Sequence, residues 1–497
     1  SSKTSKEFSM ATCNGSNLSL PKVINDPIHG TIELHKFAEL IMGAPEFQRL
    51  RHLKQLGVTY LVYPSGTHTR FEHSVGTYHL AWQLAKTLKS RATTLETELT
   101  DDEVLCVALA GLCHDLGHGP FSHLWEVLVK TGDRFADYHH EGMSVQLVDR
   151  IIDQVIGSGL SGAAEFADFM RRRHEASGGT NRELIKQLIL GGPEDQEIPP
   201  GRQFLYEIIS NKRTGFDVDK WDYINRDSYF LGLNNKLDCQ RQLAMLRVLP
   251  CGQGRNLLVI RDKQVLEYIQ LLVARRVNHY VGYQHIKVIG FEKLLGDALQ
   301  AGRSFLESQP VESVNPDARR YLLEASGSVE TLCWLTDARL ELLLTEHCGP
   351  TARHLMQRLV TRKMYSLVAT ARLALKDPED KRKYESAIKK ARAFSEDWNR
   401  RNPQASDYST IAEFRKIDYG SGLNHPLDEV FAYSKRGSAG QRCSEKDLLF
   451  PDLLLSAIHV SIVRLYERSP GQGRQRQEAE REFLSGLAAL GFMKTVE

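Results

Sequence analysis

Thr100–His123 reads TDDEVLCVALAGLCHDLGHGPFSH. Thr100 with Glu103 three places on is a capping box, the signature of a helix start. The run VLCVALAGLC that follows is apolar nearly all round, which predicts a helix in the centre of a core. Gly117, Gly119 and Pro120 end it. His114 and Asp115 therefore fall at its last turn, where the chain opens into a loop, and His118 and His123 come just after. Burying that many ionisable groups is costly unless something pairs them. A metal, a phosphate or the rest of the core are the candidate partners. If the helix continued, His118 would share a face with His114.

Three other clusters have the same character. TRFEHSVG (residues 69–76) holds Arg70 and His73 before a helical stretch. GFDVDKWDYINRD (215–227) sets Asp219, Tyr223 and Asp227 at i, i+4, i+8, with Lys220 near the same stripe. ARRVNHYVGYQH (274–285) repeats that spacing with Arg275, His279 and Tyr283. Taken singly, His73 reads as a core histidine, Asp219 as a salt-bridge partner and the tyrosines as core aromatics with wet hydroxyls. Taken together, His73, His114, Asp115 and Asp219 form a nitrogen and oxygen ligand set for a transition metal with open positions. Arg70, Lys220 and Arg275 then face phosphate charge, and His118 and His123 are candidates to protonate a leaving oxygen.

The bulk numbers fit a globular chain. Its 497 residues are 41% hydrophobic and 25% charged, and the net charge of +2 gives no global field for nucleic acid. The eight cysteines form no CxxC pair, so they predict a reducing, intracellular setting, nuclear or cytoplasmic. No apolar run reaches the ~18 residues of a membrane span. Loops are expected at GSGLSG (157–162) and GGPEDQEIPPG (191–201), and a strand pair around Gly252–Gly254. Further helix is expected over Phe204–Asn211, Asp217–Asp227 and Gln264–His285. Lys376–Arg401 is highly charged and reads as a solvated helix pair or a lid-like excursion. Phe414–Ser434 reads as two strands around a turn. Glu478–Met493 carries an apolar stripe suited to a docking helix.

The motifs VINDPIHGTIELH, FQRLRHLKQLG, RFEHSVGTYHLA, LAGLCHDLGHGPFSH, FLYEIISNKRTGFDVDKWDYINRD and YQH resemble the HD phosphohydrolase superfamily. Within it they are similar to the SAM-and-HD-domain family of deoxynucleoside triphosphate (dNTP) triphosphohydrolases. The likeness is dense from Lys22 to about Asp297 and weaker to about Tyr466. It implies a mainly α fold, an HD helical core with a small α/β C-terminal lobe. The expected divisions are a flexible tail (1–21) without a SAM domain, the core (22–300), a helical extension (301–405), and the lobe with a linker and terminal helix (406–497).

The resemblance also implies cleavage of a dNTP to deoxynucleoside and inorganic triphosphate by water attack on the α-phosphorus. His73, His114, Asp115 and Asp219 match the ligands of iron, zinc or manganese, with Mg²⁺ on the phosphates. His118, His123 and His140 match catalytic histidines, and Glu126 stands where the family has an aspartate. Arg70, Lys220 and Arg275 match triphosphate contacts. Gln55, Leu56, Tyr223, Asp227, His279, Tyr283 and Gln284 match the remaining substrate-pocket positions. Few base contacts are implied, so all four dNTPs are expected as substrates.

Regulation by GTP and dNTP activators that assemble a tetramer, in a protein expected as a homodimer or homotetramer, is implied through Lys22, Val23, Asn25, Gln48, Arg51, Asp238, Arg241, Arg261, Lys263 and His285. Two positions depart from the pattern. Gly43 replaces the carboxylate that reads guanine, and Glu267 replaces an asparagine. The expected outcome is weak, absent or changed GTP dependence. Arg436 and Arg442 are candidates for the C-terminal activator arginine. The competing readings are an HD phosphohydrolase on another nucleotide phosphoester, and a nucleotide or single-stranded nucleic-acid binder.

Overall fold

The computed structural model describes residues 22–92, 94, 97–130, 137–174, 178–193, 197–235, 237–252, 254–324, 327–375, 378–402, 409–417, 427–435, 437–443, 459–468 and 473–495. Arg436 and the 1–21 tail lie outside them. The first described element is an antiparallel hairpin, β1 (Lys22–Asp26) and β2 (Gly30–Leu34). Helices then dominate.

The core is built on α1 (Arg70–Ser90) and α2 (Asp101–Cys113), which pack together. Capping boxes start both, Thr69 with Glu72 and Thr100 with Glu103. Every residue of α2 from Glu103 to Cys113 is buried, as its all-round apolar sequence predicts. Each fully buried Leu or Val there contributes roughly 1.5–3 kcal/mol. Around this pair sit α3 (His123–Lys130), α4 (His140–Gly157), α5 (Asn181–Leu190) and α6 (Val218–Leu231). α6 packs on α1 and α5 on α2.

The strand pair expected around Gly252–Gly254 is present as β3 (Arg247–Cys251) and β4 (Arg255–Arg261). α7 (Val265–Val277) follows and passes into a π-helical turn, Asn278–Tyr283, before α8 (Ile286–Ser308). Such turns insert a residue into a helix and recur at functional sites.

A second hydrophobic cluster forms the C-terminal lobe. Its antiparallel sheet contains β5 (Ser366–Leu375), β6 (Thr410–Ile417), β9 (His459–Glu467) and the short β10 (Met493–Lys494), in the order β10-β5-β9-β6. The strand set thus starts at Ser366, inside the 301–405 segment. The charged stretch from Lys376 is neither a lid nor a helix pair. It is one helix, Pro378–Arg401, whose Tyr384, Ala387, Ala391 and Trp398 are buried against the sheet. Those residues recur at helical spacing among the charges, so one face is apolar although the mean composition is not. The helix Gly473–Ala488 closes the cluster with Phe483 and Leu487. The two strands read in Phe414–Ser434 do not pair. β6 belongs to this sheet, while β7 (Phe431–Tyr433) runs parallel to β4 and carries β8 (Gln441–Arg442) on its other edge.

Candidate active site

α2 ends at Cys113, and His114 is its C-cap. His118 therefore does not share a helical face with His114, because tight turns intervene. Gly117 permits them, since a Cβ there would lie 2.0 Å from the His140 carbonyl oxygen. Phe121 and Ser122 then both adopt left-handed backbone, φ 56° and 60°, rare for non-glycine residues. Contacts hold them there. The Phe121 N–H donates to Asp337 at 2.8 Å, and Ser122 Oγ accepts from Arg70 Nε at 2.9 Å and donates to the Lys54 carbonyl at 2.8 Å.

His73 from α1, His114 from the end of α2 and Asp219 from the first turn of α6 converge. The two Nε2 atoms are 3.2 Å apart, and Asp219 Oδ1 lies 3.1 Å and 3.4 Å from them. Asp115 stands 3.5 Å from His73 and 3.4 Å from His114, and it also pairs with Arg70. The far sides of both rings are fixed. His73 Nδ1 faces Asp222 at 2.7 Å and His114 Nδ1 faces the Gly111 carbonyl at 2.9 Å. Each Nδ1 then carries the proton, and both Nε2 lone pairs aim at the same point. Two imidazole lone pairs and two carboxylates facing one point form a group that could hold a metal cation. Ligand atoms about 3 Å apart suit a metal bonded at ~2.0–2.2 Å. Burial opposes charge on His73, but hydrogen bonds to Asp219 and Asp222 outweigh it and raise the imidazole to about 10. A proton and a divalent cation compete for that position.

Beside this centre is a cleft of about 400 Å³. Its walls include Gln55, Leu56, Arg70, Asp115, His118, His123, His140, Asp219, Tyr223, Asp227, Arg275, His279, Tyr283 and Gln284. Lys220 is held beside it by Asp217 at 3.1 Å. His118, His123 and His140 form a second group, with His118 stacked on His140 at 4.0 Å between ring centroids. Burial, Arg70 and His140 hold His118 well below the ordinary histidine range. Glu126 orients His140 rather than His123. Its Oε2 lies 2.8 Å from His140 Nδ1, and Lys130 donates to Oε1 at 2.7 Å. Burial acts against the Glu126 carboxylate, yet those two partners hold it at about 2. The Tyr283 hydroxyl donates to Asp227, whose other oxygen faces His68 at 2.7 Å. Arg275 Nε donates to the Tyr223 hydroxyl at 3.2 Å. Arg70 Nη2 is buried without a hydrogen-bond partner among the described residues, a donor left over for an incoming acceptor.

Residues 70–207 match the HD domain family. The chain is 35% identical over 435 residues to the deoxynucleoside triphosphate triphosphohydrolase SAMHD1 of Danio rerio, covering 83% of this chain and 66% of that protein. It is 31% identical to the Gallus gallus SAMHD1 over 83% of this chain and 67% of that protein. For the Xenopus laevis SAMHD1 the identity is 31%, with 96% and 76% covered. The chain belongs to the SAMHD1 family. It spans about two thirds of the length of the first two relatives. As in any HD domain, the His and Asp centre implies a divalent metal.

The activator positions expected from the SAMHD1 pattern fall outside the cleft. Lys22, Val23 and Asn25 are exposed on β1, and Arg51 bonds Gln48 at 2.8 Å while lying over the Phe71 ring. Asp238 caps the short helix Cys239–Met245, and His285 caps α8. Arg261 pairs with Asp262, next to Lys263. Arg241 is taken up by Glu267 at 2.9 Å, so the exchanged residue neutralises a neighbouring cation. Arg442 pairs with Glu429 at 2.5 Å. Gly43 ends the helix Lys36–Met42 with right-handed backbone, φ −68°, so no backbone need explains the glycine.

Sequence reading missed the support behind His73. Asp222 is fully buried and accepts from His73, from His29 at 2.6 Å and from Arg226 through two bonds of 2.8 Å, while Arg226 also binds Asp26 at 2.9 Å. The Asp222–Arg226 spacing of i, i+4 was visible, but its direction toward His73 was not. Gly76 makes room, since a Cβ there would sit 1.9 Å from Asp222 Oδ1. Glu292 and Arg415 on the cleft wall were missed as well.

Proposed function

We propose that this chain hydrolyses dNTPs to deoxynucleoside and inorganic triphosphate. The convergence of His73, His114 and Asp219 beside a cleft lined by Arg70, whose Nη2 has no partner among the described residues, and by Arg275 supports the reading. Iron, zinc or manganese held by these residues and Asp115 supplies Lewis acidity toward a phosphoryl oxygen and a water nucleophile. Mg²⁺ accompanies the phosphates.

Arg70, Lys220 and Arg275 bind and orient the triphosphate. The α-phosphorus then sits at the centre with its 5′ oxygen toward the histidine group. The water oxygen bonds to phosphorus, the bond to the 5′ oxygen breaks, and His123 or its neighbours His118 and His140 deliver the proton to that oxygen. Glu126 positions His140. Asp227 and Gln55 take the 3′-hydroxyl, with Leu56 and Tyr223 lining the pocket. Tyr283, tied to Asp227, forms the wall that rejects a 2′-hydroxyl, a discrimination that a purely apolar pocket does poorly. Activation by nucleotides through the β1, Arg51 and Arg261 surfaces, in a dimer or tetramer, completes the reading. Gly43 and Glu267 weaken guanine selectivity there. No helix among the described residues is long and apolar enough to cross a membrane.

The test is product analysis with dATP and dGTP, with and without GTP, for native protein and His114→Ala. Triphosphate release without GTP, lost in the variant, is expected. Release only with GTP overturns the reading of Gly43, and no triphosphate under any condition overturns the activity.

A further inference from the structure

The cleft has one wall that the HD core does not supply. Arg415 comes from β6 of the C-terminal lobe, and with Glu292 of α8 it lines the same surface as His279, Tyr283 and Gln284. The lobe is fastened to the core at this point. Gln284 Nε2 donates to the Lys416 carbonyl at 2.9 Å, and the Gln284 carbonyl accepts from buried Arg464 of β9 at 2.8 Å. Tyr466 donates to the Ile286 carbonyl at 3.0 Å, and Lys293 pairs with Glu413. Arg415 is therefore held in place by its neighbours on both sides, which limits the entropy lost when it binds a ligand.

The guanidinium is only partly spent. Nη2 donates to Glu292 at 2.6 Å. Nε is buried and forms an ion pair with Glu413 at 2.7 Å without hydrogen-bond geometry. Nη1 donates to no described residue. The side chain is 31% exposed.

This inference rests on the reading above, in which the metal centre receives the α-phosphate and the Asp227–Tyr283 pair receives the sugar. The base then extends past Tyr283 to Gln284 and the Arg415–Glu292 wall. We propose that Arg415 reads the base and selects guanine, donating from its fork to O6 and N7. That edge presents two acceptors side by side, the pattern an arginine fork matches. Adenine presents N6–H₂ in place of O6, which sets donor against donor. The lobe strand thus makes the pocket base-selective.

The experiment measures kcat/KM for dGTP, dITP and dATP with native protein, Arg415→Lys and Arg415→Gln. Each is assayed with the same saturating activator mixture, and unfolding midpoints are recorded. dITP keeps O6 and N7 and lacks the 2-amino group, so it isolates the edge in question. Native protein should prefer dGTP over dATP at least tenfold, with dITP following dGTP. Arg415→Lys keeps the charge for Glu292 and Glu413 but loses the fork. It should keep the native unfolding midpoint while the dGTP to dATP ratio falls at least tenfold, mainly through KM. Arg415→Gln should lower the ratio at least as far. An unchanged ratio in Arg415→Lys, a native protein without purine preference, or dITP behaving as dATP overturns the proposal. Native protein that releases no triphosphate from any dNTP refutes the activity itself, a result distinguishable from these.

Discussion

Asp222→Asn tests whether the ligand centre depends on its buried support. All four hydrogen bonds to the Asp222 carboxylate come from donors: His29 and Arg226 Nη2 on Oδ1, His73 and Arg226 Nε on Oδ2. An asparagine of the same shape must turn its NH₂ toward one of those pairs. Either orientation sets donors against donors and removes two charge-assisted bonds, each worth about 1.5–3 kcal/mol. Arg226, fully buried, keeps only Asp26 as a charged partner. Stripping one partner from a buried ion pair costs about 3–5 kcal/mol, the same scale. With the NH₂ toward His73, the imidazole must take the other tautomer, and its Nε2 then carries a proton where a lone pair is needed. Loss of such outer support typically lowers metal affinity 10–100-fold. Urea unfolding followed by tryptophan fluorescence should show ~3–5 kcal/mol of destabilisation. Elemental analysis after dialysis should show lost metal, and dATP turnover should fall with it. Native metal retention together with a stability change below ~1 kcal/mol refutes the reasoning.

Tyr283→Ala removes the wall and leaves Asp227 without its hydroxyl partner, so rATP hydrolysis should rise about 10–200-fold relative to dATP. A ratio equal to native places ribose rejection elsewhere. Gly43→Asp fits the right-handed backbone and restores a carboxylate for guanine. It should tighten GTP-driven assembly in sedimentation about 10-fold or more, and no change removes Gly43 from the activator site. Burial, then the charge of His29, lowers His79 from 6.5 to about 4. The unfolded chain thus binds the proton more readily, so stability is full above pH 6.5 and falls as the pH drops toward 4. With partial solvent access the loss is about 1–2 kcal/mol, and His79→Gln should flatten that acid limb in pH-dependent urea melts.

Local rules made much of this molecule legible in its sequence. The Thr100–Glu103 box and the unbroken apolar run announced α2 and its burial, because capping and hydrophobic periodicity act within a few residues. The motif spacing pointed to His73, His114 and Asp219, and these do converge. Where the helix stopped was less legible. Gly117 and the left-handed Phe121 and Ser122 turn His118 away from His114, and contacts with Asp337, Arg70 and Lys54, distant in the chain, help hold that turn. The charged stretch Pro378–Arg401 looked solvated because composition averages over faces, whereas a sheet assembled from Ser366 to Lys494 covers its apolar one. The sequence by itself singled out His73, His114 and Asp219 and the helices that bring them together. Tertiary structure alone decided that Asp222 and Arg226 stand behind His73, that Glu126 serves His140, and that Arg415 reaches the cleft. Those pairings join residues from 14 to 149 positions apart and more, and no periodic rule along one element reaches that far.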